Sequence, residues 1–169
     1  SIWGLPMIGV CARVWGCIPV DREKKGASNV VDMLAYRDKH PEVNPVVIFP
    51  EGTTSNGRYL MHFHRGAFAP GAPVKPVILH YPYENFSPSW ESITFPQHMV
   101  RFLTQFVNYC ELQMLPVYVP SEKEVADAAV YANNVREVMA KAAGLKISNS
   151  ELKDKKEYLE LIRGQKGLE

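Results

Sequence analysis

The chain holds few of the residues that mark a metal, redox or nucleotide site. Its three cysteines, Cys11, Cys17 and Cys110, include no Cys-x-x-Cys pair. An odd count without ligand spacing reads as reduced buried thiols facing a reducing compartment, and it sets aside a zinc site. No Gly-x-Gly-x-x-Gly or Gly-Lys-Ser loop occurs, so the usual nucleotide cradles are missing. Charge of one sign is missing too. Nineteen Lys and Arg against 18 Asp and Glu leave +1, no field to recruit nucleic acid or strongly anionic membrane. The longest apolar stretch, Ile2 to Val20, carries Arg13, Pro6 and Pro19 within the roughly 20 residues that a membrane span requires. It also lacks the charged, apolar, small-residue order of a secretory signal, so it reads as a buried or membrane-surface segment.

What is present describes an α/β domain. The 169 residues are 46% hydrophobic, enough for one domain with a sizeable core, and no repeat or low-complexity tract interrupts them. Leu5 to Trp15 reads as an apolar helix stopped by Gly16, and Cys17 to Val20 as a strand. Ser28 is a candidate N-cap for a helix reaching Lys39, with Val30, Val31, Met33 and Leu34 turned inward. The continuous run Val46 to Phe49 predicts a buried central strand. A Gly/Pro-rich connection, Ala67 to Val74, leads to a strand over Val74 to Tyr81. Gln97 to Val107 predicts a helix and Glu111 to Val119 a strand. Ser121 and Glu124 have capping-box spacing, before a helix from Asp127 to Ala143 that Gly144 ends. Strands alternating with helices predict α/β, a mixed sheet flanked by helices over 1–147, followed by a charged extension over 148–169.

The segment with most chemistry is Phe49-Pro50-Glu51-Gly52, followed by Thr53-Thr54-Ser55-Asn56-Gly57. A strand that ends in a Pro-Glu-Gly turn delivers a carboxylate to the edge where open α/β sheets place ligands. Proline and glycine sharpen the turn, and the hydroxyls and backbone N–H groups of Thr53 and Thr54 can form a phosphate-holding concavity. Upstream, Gly16-Cys17-Ile18-Pro19-Val20-Asp21-Arg22 puts an arginine just after a strand. Downstream, Val74-Lys75-Pro76-Val77-Ile78-Leu79 is a strand interrupted by proline.

These three segments, in this order, resemble the second, third and fourth signature blocks of the glycerolipid acyltransferase family. Val46 to Tyr83, Leu115 to Ser121 and Tyr131 to Arg136 are similar to its lysophosphatidylcholine and lysophosphatidylethanolamine branch. The resemblance implies that fold, here without its N-terminal part, and acyl transfer from acyl-CoA to a lysophospholipid with no other cofactor. It implies a cytosol-facing location at the endoplasmic reticulum membrane. It also implies a binding role for Arg22, Glu51, Gly52, Thr53, Thr54, His64, Arg65 and Pro76. Arg22 offers a planar, permanently charged fork for phosphate oxygens, although the surrounding Lys and Glu also fit a solvated turn. Glu51 cannot attract phosphate, so it orients Arg22 or accepts a hydrogen bond from the glycerol.

Two departures from the family pattern carry information. Relatives that acylate lysophosphatidic acid have arginines where Thr54 and Asn56 stand here; fewer cations suit a zwitterionic acceptor. In Phe63-His64-Arg65-Gly66-Ala67-Phe68 a histidine replaces the usual lysine, so either Arg65 supplies the charge or binding weakens. The remaining histidines read as structural or solvated. Apolar Ile2 to Val20 and the aromatic segment Tyr81 to Phe95, with Tyr83, Phe86 and Trp90, are candidate membrane contacts.

The family's first block, His-x-x-x-x-Asp, supplies the general base and its orienting carboxylate. Five residues after His40, His62, His64, His80 and His98 stand Pro45, Ala67, Ala69, Asn85 and Leu103. No catalytic pair lies in this chain. The expectation is that Ser1 is an internal residue of a longer enzyme with the pair upstream, and that these residues alone do not turn over. A non-catalytic lipid-binding relative is the alternative.

Overall fold

The computed structural model describes residues 28–40, 46–82 and 93–150, together with residues 10, 14, 17, 42, 88, 89, 154, 157, 160 and 161. The chain divides into two units, Ser1–Asn44 and Pro45–Glu169. In the first, helix α1 spans Ser28–Lys39, as its start signal and periodicity predict. Val30, Val31 and Leu34 are half-buried, while Met33, expected inward, is 37% exposed and Asp32, Asp38 and Lys39 face solvent. Arg37 and Lys39 in the last turn oppose the negative end of the helix dipole. Beyond it, the His40 ring stacks on Tyr36 at 4.1 Å between centroids. Of the expected Leu5–Trp15 helix only Val10 and Val14 are described, and both are helical. Cys17 and Cys110, expected as buried thiols, are both exposed; most of the Cys17–Val20 strand, Arg22, and Tyr83, Phe86 and Trp90 lie outside the described residues.

The second unit has strands of both orientations, in two ladders. Strand β1 (Tyr59–Leu60) runs parallel to β4 (Lys146–Ile147), with Leu60 opposite Ile147. That contact continues past Ile147, because Ser148 N donates to Leu60 O at 2.9 Å and His62 N to Ser150 O at 3.5 Å. Strand β2 (Val77–His80) pairs antiparallel with β3 (Glu111–Met114), setting Val77 opposite Met114 and His80 opposite Glu111. Further on, Val74 bridges Tyr118. Three steps separate Val77 from Val74 but four separate Met114 from Tyr118, so the second strand carries one extra residue. This bulge falls beside Pro76, which cannot donate to a ladder. Both expected strands are therefore shorter than their sequence runs.

Helices close the unit. Helix α2 (Phe95–Leu103) starts where the Gln97 side chain accepts from Thr94 N at 3.1 Å. It ends at Leu103, four residues short of the expected limit, which leaves Phe106 and Val107 exposed beyond it. Helix α3 (Glu122–Ala126) has the predicted box, Glu124 Oε2 accepting from Ser121 N and Oγ at 2.7 Å each. Asp127 interrupts the helical path and caps α4 (Ala128–Ala143) by accepting from Ala129 N at 2.8 Å. Gly144 ends α4 at φ 65°, a left-handed stop that suits glycine. Near the C-terminus Asp154, Glu157, Glu160 and Leu161 are helical, while Leu152, Leu159 and Ile162 lie outside the described residues.

The core forms where α4 meets the segment after β1. Leu60, Phe63 and Phe68 bury against Tyr131, Ala132, Val135 and Ala140. The Phe68 and Tyr131 rings meet edge-to-face at 5.1 Å, and Tyr118 stacks on Tyr131 at 5.7 Å. One expectation fails here. Val46 to Phe49 forms no ladder among the described residues, and Val47 and Phe49 are 80% and 67% exposed. An apolar run identifies a segment able to pair and bury; without a neighbouring strand it does neither.

Candidate functional site

The Pro50–Gly52 turn is built by the segment that follows β1. Gly52 N donates to Phe49 O at 3.1 Å and closes the turn. Gly52 sits at φ 64°, in the left-handed region that disfavours side chains. Space forbids one as well: a Cβ there would lie 2.8 Å from His64 Cδ2 and 2.9 Å from Nε2. The His64 imidazole therefore lies against the face of the glycine. Two hydrogen bonds fix the approach. His64 N donates to Pro50 O at 2.8 Å, and Met61 N donates to Glu51 Oε2 at 3.1 Å. Phe63, between these donors, is 2% exposed in the core, so the core side chain anchors the strap that holds the turn.

Electrostatics follow from this enclosure. Glu51 is half-buried, and burial pushes its carboxyl above the ordinary range while the Met61 N–H pulls it partly back. His62 lies edge-on to His64 at 6.4 Å between ring centroids. His64 and Arg65 are exposed, with Arg65 opening a short 3₁₀ turn, Arg65–Ala67, against which α4 packs. Thr53 Oγ1 leans toward Thr54 O at 3.5 Å. Ser55 and Asn56 side chains accept from Gly57 N and Arg58 N, so the polar run folds partly onto its own backbone.

Of the residues singled out in the sequence, Glu51, Gly52 and His64 come together, with Thr53, Thr54 and Arg65 flanking them in the chain. Pro76 is buried at the foot of β2, where its carbonyl accepts from Leu115 N at 3.0 Å. Arg22 lies outside the described residues. A hollow of about 500 Å³ between β2, β3 and the end of α4 is lined by Ile78, His80, Glu111 and Ala143, and by none of the turn residues. Among the described residues no cluster of His, Cys, Asp and Glu could hold a metal ion.

Sequence reading missed a second polar centre. Glu124 is 5% exposed and accepts from Tyr118 Oη at 2.6 Å, from Ser121, and from Asn134 Nδ2 at 2.8 Å. The Tyr118 hydroxyl, then Ser121 and Asn134, hold its carboxyl down to about 2. The neighbouring Tyr131 hydroxyl donates to Ala72 O at 2.9 Å. Burial, then the Glu124 charge, pushes Tyr131 up to about 12. The cap spacing of Ser121 and Glu124 is a local signal; the tyrosine and asparagine that complete the shell are not.

The sequence profile of the Acyltransferase family matches residues 1–80. A lysophospholipid acyltransferase of Arabidopsis thaliana is 42% identical over 97% of this chain and 43% of its own length. A lysophosphatidylcholine acyltransferase of Drosophila melanogaster is 43% identical over 89% of the chain and 29% of its own. Lysophosphatidylcholine acyltransferase 1 of Danio rerio is 45% identical over 79% and 26%. The chain thus spans less than half the length of these relatives. No solved structure matches it. With its Pro50–Gly52 turn strapped by Met61 and His64, the chain belongs to the glycerolipid acyltransferase family, in the branch of the lysophosphatidylcholine and other lysophospholipid acyltransferases.

Proposed function

We propose that this chain carries the acceptor-binding part of an enzyme that moves an acyl group from acyl-CoA to the free hydroxyl of a zwitterionic lysophospholipid. The observation that carries the reading is the turn: a half-buried Glu51 beside Gly52, roofed by the exposed His64, in a chain 42% identical to a lysophospholipid acyltransferase. In the reaction the hydroxyl oxygen attacks the thioester carbonyl. A C–O bond forms, the C–S bond breaks, and the proton passes through a base to the departing thiolate. Glu51 accepts a hydrogen bond from the glycerol, and His64 and Arg65 bind the phosphodiester, a role proposed for Arg22 as well. Thr53 and Thr54 line the same loop, and Pro76 acts through the strand it shapes. The base and its carboxylate partner come from a His-x-x-x-x-Asp segment outside these 169 residues.

The relatives' lipid acceptors support work at a membrane surface, and the reading puts that surface on the cytosolic side of the endoplasmic reticulum; among the described residues no helix is long and apolar enough to cross a membrane. The test is transfer of labelled acyl groups by the full-length protein to lysophosphatidylethanolamine, lysophosphatidylcholine and lysophosphatidic acid. Preference for either zwitterionic acceptor supports the reading, and preference for lysophosphatidic acid contradicts it. Lipid binding without turnover by the full-length protein would establish the alternative, a non-catalytic lipid binder.

A further inference from the structure

Arg136 on α4 is 7% exposed, and its Nε and Nη1 are buried with no hydrogen-bond partner among the described residues. Its neighbours one turn either way along the helix are Ala132 and Ala140, both buried. Their methyl groups offer a guanidinium nothing. Glu124, the buried carboxylate of this unit, is already surrounded by Tyr118, Ser121 and Asn134 and makes no ion pair with Arg136 among the described residues. A guanidinium does not escape burial by losing its proton. Buried charge without a partner destabilises a fold, and an apolar side chain of similar reach serves packing better. The reason for Arg136 therefore lies in something it binds.

We propose that Arg136 is an anion site that takes a phosphate oxygen. Planar, permanently charged donors match phosphate geometry. The helix that carries Arg136 packs directly on the Arg65–Ala67 turn, next to the exposed His64 and Arg65. Burial denies the guanidinium full hydration. Two natural sources share this chemistry, the phosphodiester of a lysophospholipid and the phosphates of acyl-CoA. Only that choice of source rests on the proposed acyl transfer; the anion site itself does not.

The experiment compares thermal unfolding of the wild-type protein, Arg136→Met and the exposed control Arg58→Met at constant ionic strength, in chloride and in inorganic phosphate. Phosphate stabilises many proteins through general exclusion, so the informative quantity is the difference between variants. Phosphate is expected to raise the wild-type and Arg58→Met midpoints by several degrees more than that of Arg136→Met. In chloride, Arg136→Met should melt at or above the wild type. Equal phosphate shifts in all three proteins overturn the proposal, because phosphate then gains nothing from Arg136. Should the Met variant fail to fold, ³¹P line widths with the wild type and Arg136→Gln decide. Broadening of phosphate by the wild type alone supports the site, and no broadening by the wild type overturns it. Glycerophosphocholine and coenzyme A, run in parallel, separate the two sources.

Discussion

At the residue scale the candidate site depends on one glycine and one carboxylate. Gly52→Ala meets two penalties, a left-handed φ of 64° and overlap with the His64 ring. The backbone part alone costs about 1–2 kcal/mol. Gly52→Ala should therefore lower the urea midpoint clearly, and combining it with His64→Ala should recover the overlap part but not the backbone part. Strict additivity in that double-mutant cycle would contradict the close contact. Glu51 makes an opposite prediction. Burial raises its carboxyl above the usual range, so the folded state favours the protonated form. Its stabilising contribution is present below the ordinary carboxylate value of 4.5 and is lost as pH rises through the raised one. Glu51→Gln keeps an acceptor for Met61 N–H without the buried charge. It should leave stability at neutral pH unchanged or slightly higher while, on the proposed function, acyl transfer falls about 10- to 100-fold, the loss of a charged hydrogen bond.

At the element scale the caps carry the argument. Glu124 titrates at about 2 when folded, below its ordinary 4.5, so its contribution is complete above 4.5 and disappears as pH falls toward 2. Acid unfolding of Glu124→Gln should be flatter between those values than that of the wild type, and an unchanged profile would contradict the assignment. At the other end of α4, Gly144 has open space around its would-be Cβ but φ 65°. Gly144→Ala should cost only the backbone penalty, again about 1–2 kcal/mol in urea unfolding.

These same elements mark what could be read from the chain. Caps are local: Ser121 with Glu124, Asp127 before α4 and Gly144 after it stand where short-range spacing puts them. Strand pairing is not local. Val46 to Phe49 has the composition of a buried strand but no partner among the described residues, and the bulge at Pro76 emerges only against Tyr118. In the site, Glu51 and Gly52 were legible from turn chemistry. That Met61 N and the His64 ring complete the turn was not, because those contacts cross ten or more residues of loop. Arg136 was hidden for another reason, since arginine on a helix reads as surface.

At the scale of the whole molecule, Phe63 and Phe68 anchor the strap behind the turn in the core they form with α4, while His64 and Arg65 stay exposed. A hollow lies apart from the turn, between β2, β3 and the end of α4. On the proposed function the acceptor headgroup meets the turn and not the hollow. Amide chemical shifts report the choice directly, in a titration of isotope-labelled protein with monomeric lysophosphatidylethanolamine. The shifts should concentrate at Gly52, Thr53, Met61 and His64 and weaken strongly in Glu51→Gln. Shifts confined to Ile78, His80, Glu111 and Ala143, with the turn unmoved, would contradict it.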